Sequence, residues 1–264
     1  MRAEDYEPNS DHYRVAVAAR HGRARLWLPY VVTLVMLGAV FVWGAVIYDQ
    51  LPELMPTGWG PDGEVRGWTE KSFGSVFTTA IIASGLFILM AALGAMAPMM
   101  SPGSPDLSAW ELLRLTAGHR GITEYLGWVT ALITLMMVGF NAQSWRLAAS
   151  DGTWSAPVTM LLVVALVVAI FVILSPVFRS HLRWADRTAE QLGIHPTEEE
   201  AAEDALWLPS GLYNDPSNPA MMVPKREGYG IGTTVNVGSR KGRIAVIVFA
   251  VVIIAPLLII GFTM

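Results

Sequence analysis

The side chains able to do chemistry are thinly spread. The 5 histidines, His12, His21, His119, His181 and His195, share no ligand spacing with one another, and the chain holds 0 cysteines. Without a thiol, disulfides, thiolate catalysis and Cys-based metal sites are excluded. No nucleophile–base pair and no paired carboxylates stand at a spacing that supports acid–base work, so each His is read as solvated. The densest acidic run, Glu198, Glu199, Glu200, Glu203 and Asp204 with His195 nearby, invites a metal site. Consecutive carboxylates point around a helix and do not converge on one ion, so the run is read as a helix start favoured by the backbone dipole. Gly228-Tyr229-Gly230-Ile231-Gly232 invites a phosphate loop, but its spacing is neither that of a dinucleotide fold nor of a P-loop. The chain is therefore expected to be no enzyme and to hold no metal or cofactor.

The elements that must position any remaining chemistry are apolar. Five runs stand out, Trp27–Tyr48, Phe73–Met96, Leu126–Phe140, Val158–Phe178 and Ile244–Phe262, and none contains Asp, Glu, Lys, Arg or His. About 20 apolar helical residues cross a hydrocarbon layer of ~30 Å, which four runs meet, while the third must borrow Tyr125, Asn141 or Ala142. The expectation is an all-α integral membrane protein, a bundle of five transmembrane helices. The first run is longer than the core of a signal peptide and is read as a retained anchor.

Charge orients the bundle. Of the 18 Lys and Arg, only Arg66, Lys71 and Arg146 fall in the first and third connections; the rest lie in the N-terminal tail and in the second and fourth connections. Basic residues are retained on the cytoplasmic side, so the N-terminus is expected inside and the C-terminus outside. Arg outnumbers Lys by 15 to 3, a bias that with the Ala, Val and Gly content suggests a GC-rich bacterial genome and so a bacterial cytoplasmic membrane. The net charge of −4 averages a basic inner side with acidic patches and gives no sign of a nucleic-acid partner. Residues 1–26 read as a mobile basic tail. Trp27, Trp68, Trp128, Trp145 and Trp154 sit near run ends, as interfacial anchors do. Thr33, Thr78, Thr79, Ser84, Thr130 and Thr134 read as contacts between helices.

The connections differ in character. Residues 49–72 hold so many Pro and Gly that consecutive turns are expected, one of them at Pro61-Asp62-Gly63. Pro98, Pro102 and Pro105 are expected to stop the second helix. Ser108 and Glu111 form a capping-box pattern that opens a short interfacial helix, Ala109–Ala117. Glu124 stands just ahead of the third run, either solvated there or serving as a proton or ion site. Residues 179–243 form the largest polar piece. In it the fourth helix continues to about Leu192, Thr197 and Glu200 cap a short acidic helix, and Met221–Lys225 and Gly230–Val237 pair as a small β-hairpin between helices four and five. The domains expected are thus a tail (1–26), a four-helix membrane module (27–178), a helix-plus-hairpin domain (179–243) and a fifth membrane helix (244–264).

Two segments are similar to known proteins. Leu51-Pro52-Glu53-Leu54-Met55-Pro56, Asp62-Gly63-Glu64-Val65-Arg66-Gly67-Trp68 and Lys71 resemble the outer loop of the SdpI-like bacterial membrane proteins, except that Gly58 stands where that loop has His. Trp207, Gly211-Leu212-Tyr213-Asn214, Pro219, Val223-Pro224-Lys225-Arg226 and Asn236 resemble a small uncharacterised domain of similar proteins. The resemblance implies recognition outside through Pro52, Pro56, Asp62, Gly63, Trp68 and Lys71. It implies partner contact inside through Trp207, Tyr213, Asn214, Lys225, Arg226 and Asn236. It also implies an immunity or signalling role, since one such protein protects against a secreted toxin and signals to a repressor. The bilayer and a protein are the partners expected. An accessory subunit of a larger complex is the alternative. A permease is disfavoured by the lack of charge within the runs.

Overall fold

The computed structural model describes residues 3–60, 64–100, 106–149, 156–225 and 232–263. In chain order these form helix α1 (Asp11–Ala18), helix α2 (Leu28–Ile47), strands β1 (Leu54–Trp59) and β2 (Val65–Glu70), helices α3 (Phe73–Met100), α4 (Ala109–Ala148), α5 (Ala156–Leu192) and α6 (Glu198–Ala205), strands β3 (Met222–Pro224) and β4 (Thr233–Val235), and helix α7 (Arg240–Thr263). Among the described residues, four helical stretches are long and apolar enough to cross a membrane: Arg23–Gln50, Phe73–Met99, Ala109–Ala148 and Leu161–Leu192. Their outer faces are apolar too, with Val35 and Leu161 each 65% exposed and Val46 69% exposed. A helix apolar on all sides has acyl chains as its solvent.

Two boundaries correct the sequence reading. The short interfacial helix and the short third span are one 40-residue helix, α4. The Ser108 box does open it: the Ser108 N–H donates to Glu111 Oε2 (3.0 Å) and the Glu111 N–H to Ser108 Oγ (3.1 Å). Between Ala109 and Ala148 there is no proline, and glycines at about 1 kcal/mol each do not break a ladder of this length. Pro98 lies inside α3, which continues to Met100. The extension of α5 to Leu192 matches expectation. Gly193 ends it at φ +69°, with the Ile194 N–H donating to the Ala189 carbonyl (2.9 Å) and the Gly193 N–H to that of Glu190 (3.2 Å). This left-handed stop requires glycine, and the buried Ile194 packs in the same cluster as Ala189.

The chain folds as two compact units. The first comprises Leu28–Ala92, Leu126–Phe171 and Ile253–Met264. Its core joins Val40, Leu51, Met55, Val76, Phe77, Ala80 and Trp145. Asn141 Nδ2 and Trp145 Nε1 both donate to the Val76 carbonyl, at 3.2 and 2.9 Å, tying α4 to α3. Trp145 is thus a core residue with a satisfied indole, where the sequence reading has an interfacial anchor. Of the threonines, Thr33 and Thr130 are fully buried, and Thr33, Thr78 and Thr130 satisfy their hydroxyls on carbonyls of their own helices.

The second unit comprises Met1–Trp27, Leu93–Tyr125 and Val172–Val252. Its core gathers Val15, Leu112, Leu113, Ala117, Ala185, Ala189 and Ile194. The N-terminal segment is therefore no loose tail. Val15 is fully buried, His12 Nε2 lies 2.8 Å from the Leu107 carbonyl, and Arg120 donates to the His21 carbonyl (3.0 Å).

Candidate functional site

Strands β1 and β2 pair antiparallel, with Leu54 opposite Glu70 and Pro56 opposite Trp68. The breaker count hides this hairpin because a two-stranded sheet has only edges, where a proline costs no ladder bond. Alternation sends Met55 to the core, 1% exposed, and leaves Leu54 and Trp68 each 53% exposed. Lys71 is not presented outward. Its Nζ donates to the Leu51 carbonyl (2.9 Å), pairs with Glu53 (3.0 Å) and lies 5.6 Å from the Tyr48 ring centre, so it clamps the hairpin base. Pro56 is buried and Pro52 half-buried. Asp62 and Gly63 lie outside the described residues. At Gly58 a Cβ would meet only the Gly67 nitrogen, at 4.0 Å, so a side chain fits there. Of the recognition candidates among the described residues, Trp68 alone offers a large exposed surface.

The second hairpin pairs Met222 with Val235 and Pro224 with Thr233, and isolated bridges join Trp207 to Tyr213 and Tyr213 to Asn236. Those bridges supply the support that a lone hairpin lacks. The Trp207 and Tyr213 rings meet edge-on at 5.2 Å, and Trp207 Nε1 donates to Glu203 (2.8 Å). The Asn214 N–H donates to the Leu206 carbonyl (2.7 Å). Asn236 is fully buried and organises the fold: Nδ2 donates to the Asp215 and Asn218 carbonyls, and Oδ1 accepts from the Asp215 and Gly238 amides. Its side chain is spent inside the domain and faces no partner. A Cβ on Gly242 would stand 1.8 Å from the Asn236 carbonyl oxygen, so only glycine allows the first turn of α7 to meet that loop. The Ser217 hydroxyl and amide hold the Asp215 carboxyl below its ordinary value. Burial, then the charges of Asp215 and Glu203, push the Tyr213 phenol up. Lys225 is exposed, and Arg226 and the expected Glu227-Gly228 turn lie outside the described residues.

The sequence reading missed the junction beneath this domain. Arg114 on α4 pairs with Asp186 on α5 (2.8 Å) and Asp204 on α6 (3.0 Å), and stacks 4.4 Å from the centre of the Trp110 ring. Trp110 Nε1 donates to the same Asp204 carboxylate (2.8 Å), and the Ser108 hydroxyl donates to Glu200. The acidic helix thus spends Glu200 and Asp204 on docking to partners 90 to 94 residues away that no local pattern announces, while Glu203 holds Trp207 four residues on. His181, read as solvated, is buried, with its Nε2 2.7 Å from Glu124. Glu124 therefore lies mid-helix with a partner.

Beside the junction opens a cavity of about 460 Å³, with Ile122, Phe178, Leu182 and Leu212 among its apolar lining residues and Arg114, Asp204 and Lys225 its charged ones. A second, almost wholly apolar groove of about 490 Å³ separates α4 from α5 in the other unit, between Leu132, Met136 and Gly139 on one side and Leu162 and Leu166 on the other.

The profile of a domain of unknown function, DUF1648, matches residues 35–83, which hold most of α2, the β1–β2 hairpin and the start of α3. No curated protein and no solved structure matches the chain.

Proposed function

We propose that this chain is a non-enzymatic membrane protein of the SdpI-like kind, with five spans, its N-terminus inside and its C-terminus outside. In this reading the β1–β2 hairpin recognises a peptide or envelope component outside, and the 207–237 domain contacts a partner inside. The observation that carries it is Trp68. A tryptophan half exposed on a hairpin pinned by Met55 and Lys71 is a rigid aromatic anchor, the residue type that dominates recognition energy. Two supports are independent of it: the DUF1648 match spans this hairpin, and the basic residues crowd on the side assigned to the cytoplasm. The test is complementation of a deletion strain challenged with membrane-active peptides. Trp68→Ala should insert and accumulate normally yet fail to restore resistance. Full rescue by that variant would overturn the recognition role.

The accessory-subunit reading has one observation in its favour. In its most apolar stretch, α5 buries none of its residues within the chain, leaving Leu161, Leu162 and Phe171 more than half exposed. A stoichiometric membrane partner recovered by gentle purification, and lost with Leu162→Trp, would favour this reading over a lone receptor.

A further inference from the structure

We propose that the cavity beside Arg114 binds the headgroup and upper acyl region of an anionic phospholipid. The apolar wall comes from residues at the ends of the membrane-spanning stretches. Phe178 closes the apolar run of α5, and Ile122 lies one turn before that of α4. Arg114 stands eight residues from Ile122 on the same helix, about 12 Å further from the acyl layer. Along α4 the lining therefore passes from the apolar Ile122, at the edge of the apolar run, to the charged Arg114 at headgroup depth. An amphiphile lying along the helix axis matches that gradient; a wholly polar or wholly apolar ligand does not.

Charge selects the headgroup. Arg114 and Asp204 offset each other on the lining, and Arg114 is held further by Asp186, so the uncompensated charge there is that of Lys225. Lys225 is exposed and makes no ion pair among the described residues. On the neighbouring face of α5, Arg179, Arg183 and Arg187 recur every fourth residue, all exposed, with none in an ion pair among the described residues. Basic groups at this depth draw anionic headgroups, each contributing about a fivefold preference near a charged leaflet. The volume lies within the range of pockets that enclose a ligand, and the Arg114 junction gives it a fixed wall.

The test uses the full chain in detergent, titrated with phosphatidylglycerol or phosphatidylcholine and read by native mass spectrometry. One phosphatidylglycerol should bind saturably and at least fivefold more tightly than phosphatidylcholine. Lys225→Glu should erase that preference. Gly118 lines the cavity, and a Cβ there meets nothing within 4 Å, so Gly118→Leu starts a side chain into the cavity from an open position and should reduce binding at least tenfold. Gly85→Leu, equally open but on α3, serves as the control and should leave binding unchanged. Equal uptake of both lipids, or unchanged binding in Gly118→Leu, would refute the proposal. Equal competition by glycerol phosphate would refute it too, by assigning the site to a free anion. None of these results bears on Trp68, so the recognition reading stands or falls separately.

Discussion

At the scale of single residues, side chains that look alike in the sequence do opposite work. Trp68 and Trp145 both read as interfacial anchors, yet one is half exposed and the other is buried with its indole N–H on the Val76 carbonyl. Trp145→Phe removes the indole N–H from the Val76 carbonyl and leaves the Asn141 amide as its side-chain donor; thermal unfolding in detergent should show a loss of about 1–2 kcal/mol. Lys71 and Asn236 were expected to meet partners, and both are consumed within the fold. The reason is distance along the chain: Lys71 reaches Leu51, and Asn236 reaches Asp215 and Asn218. The capping boxes, closed within three residues, were legible without any structure. Asp215 yields a pH dependence. Its folded-state pKa is depressed below the ordinary 3.8, so the stability it adds is present above that value and is lost as pH falls through the lower folded value. Trp207 fluorescence on acidification below about pH 4 should report loosening of the 207–237 domain, and Asp215→Asn should flatten that transition.

At the scale of elements, hydropathy located the helices but not their ends. The α4 backbone ladder outruns its apolar run because helix length follows unbroken hydrogen bonding, whereas the apolar count follows only the acyl layer. The β1–β2 hairpin was hidden by Pro56, Gly58 and Gly67, residues that weaken a central strand and are tolerated in a pair of edges. The second hairpin was legible from the sequence, where Ile231, Thr233, Val235 and Val237 alternate with Gly232, Thr234 and Asn236. Its docking was not, since α6 is held by Arg114, far away in sequence. Removing that guanidinium leaves Asp204, 18% exposed, without its charge partner. Arg114→Met should destabilise the junction by roughly 1–3 kcal/mol, between the values for exposed and buried pairs. Hydrogen exchange should quicken across α6 and the 207–237 segment and stay unchanged in β1 and β2. Uniform acceleration throughout would count against a local junction.

At the scale of the whole molecule, four membrane-competent helices and apolar outward faces establish a protein made for a bilayer. The recognition role depends on the proposed sidedness, with the Trp68 hairpin outside and the Lys225 domain inside. That sidedness rests on where 18 basic residues fall, a physical asymmetry that is fully legible in sequence. What no pattern conveyed was that the N-terminal segment is folded, because the burial of Val15 depends on residues around 110 and 185. The absence of cysteine makes the decisive measurement clean: single cysteines introduced as Gly60→Cys and Ser217→Cys, reacted in intact cells with a membrane-impermeant maleimide. Rapid labelling is expected at position 60, and labelling at position 217 only after the membrane is opened. Labelling of both positions from the same side in intact cells, or of 217 alone, would contradict it.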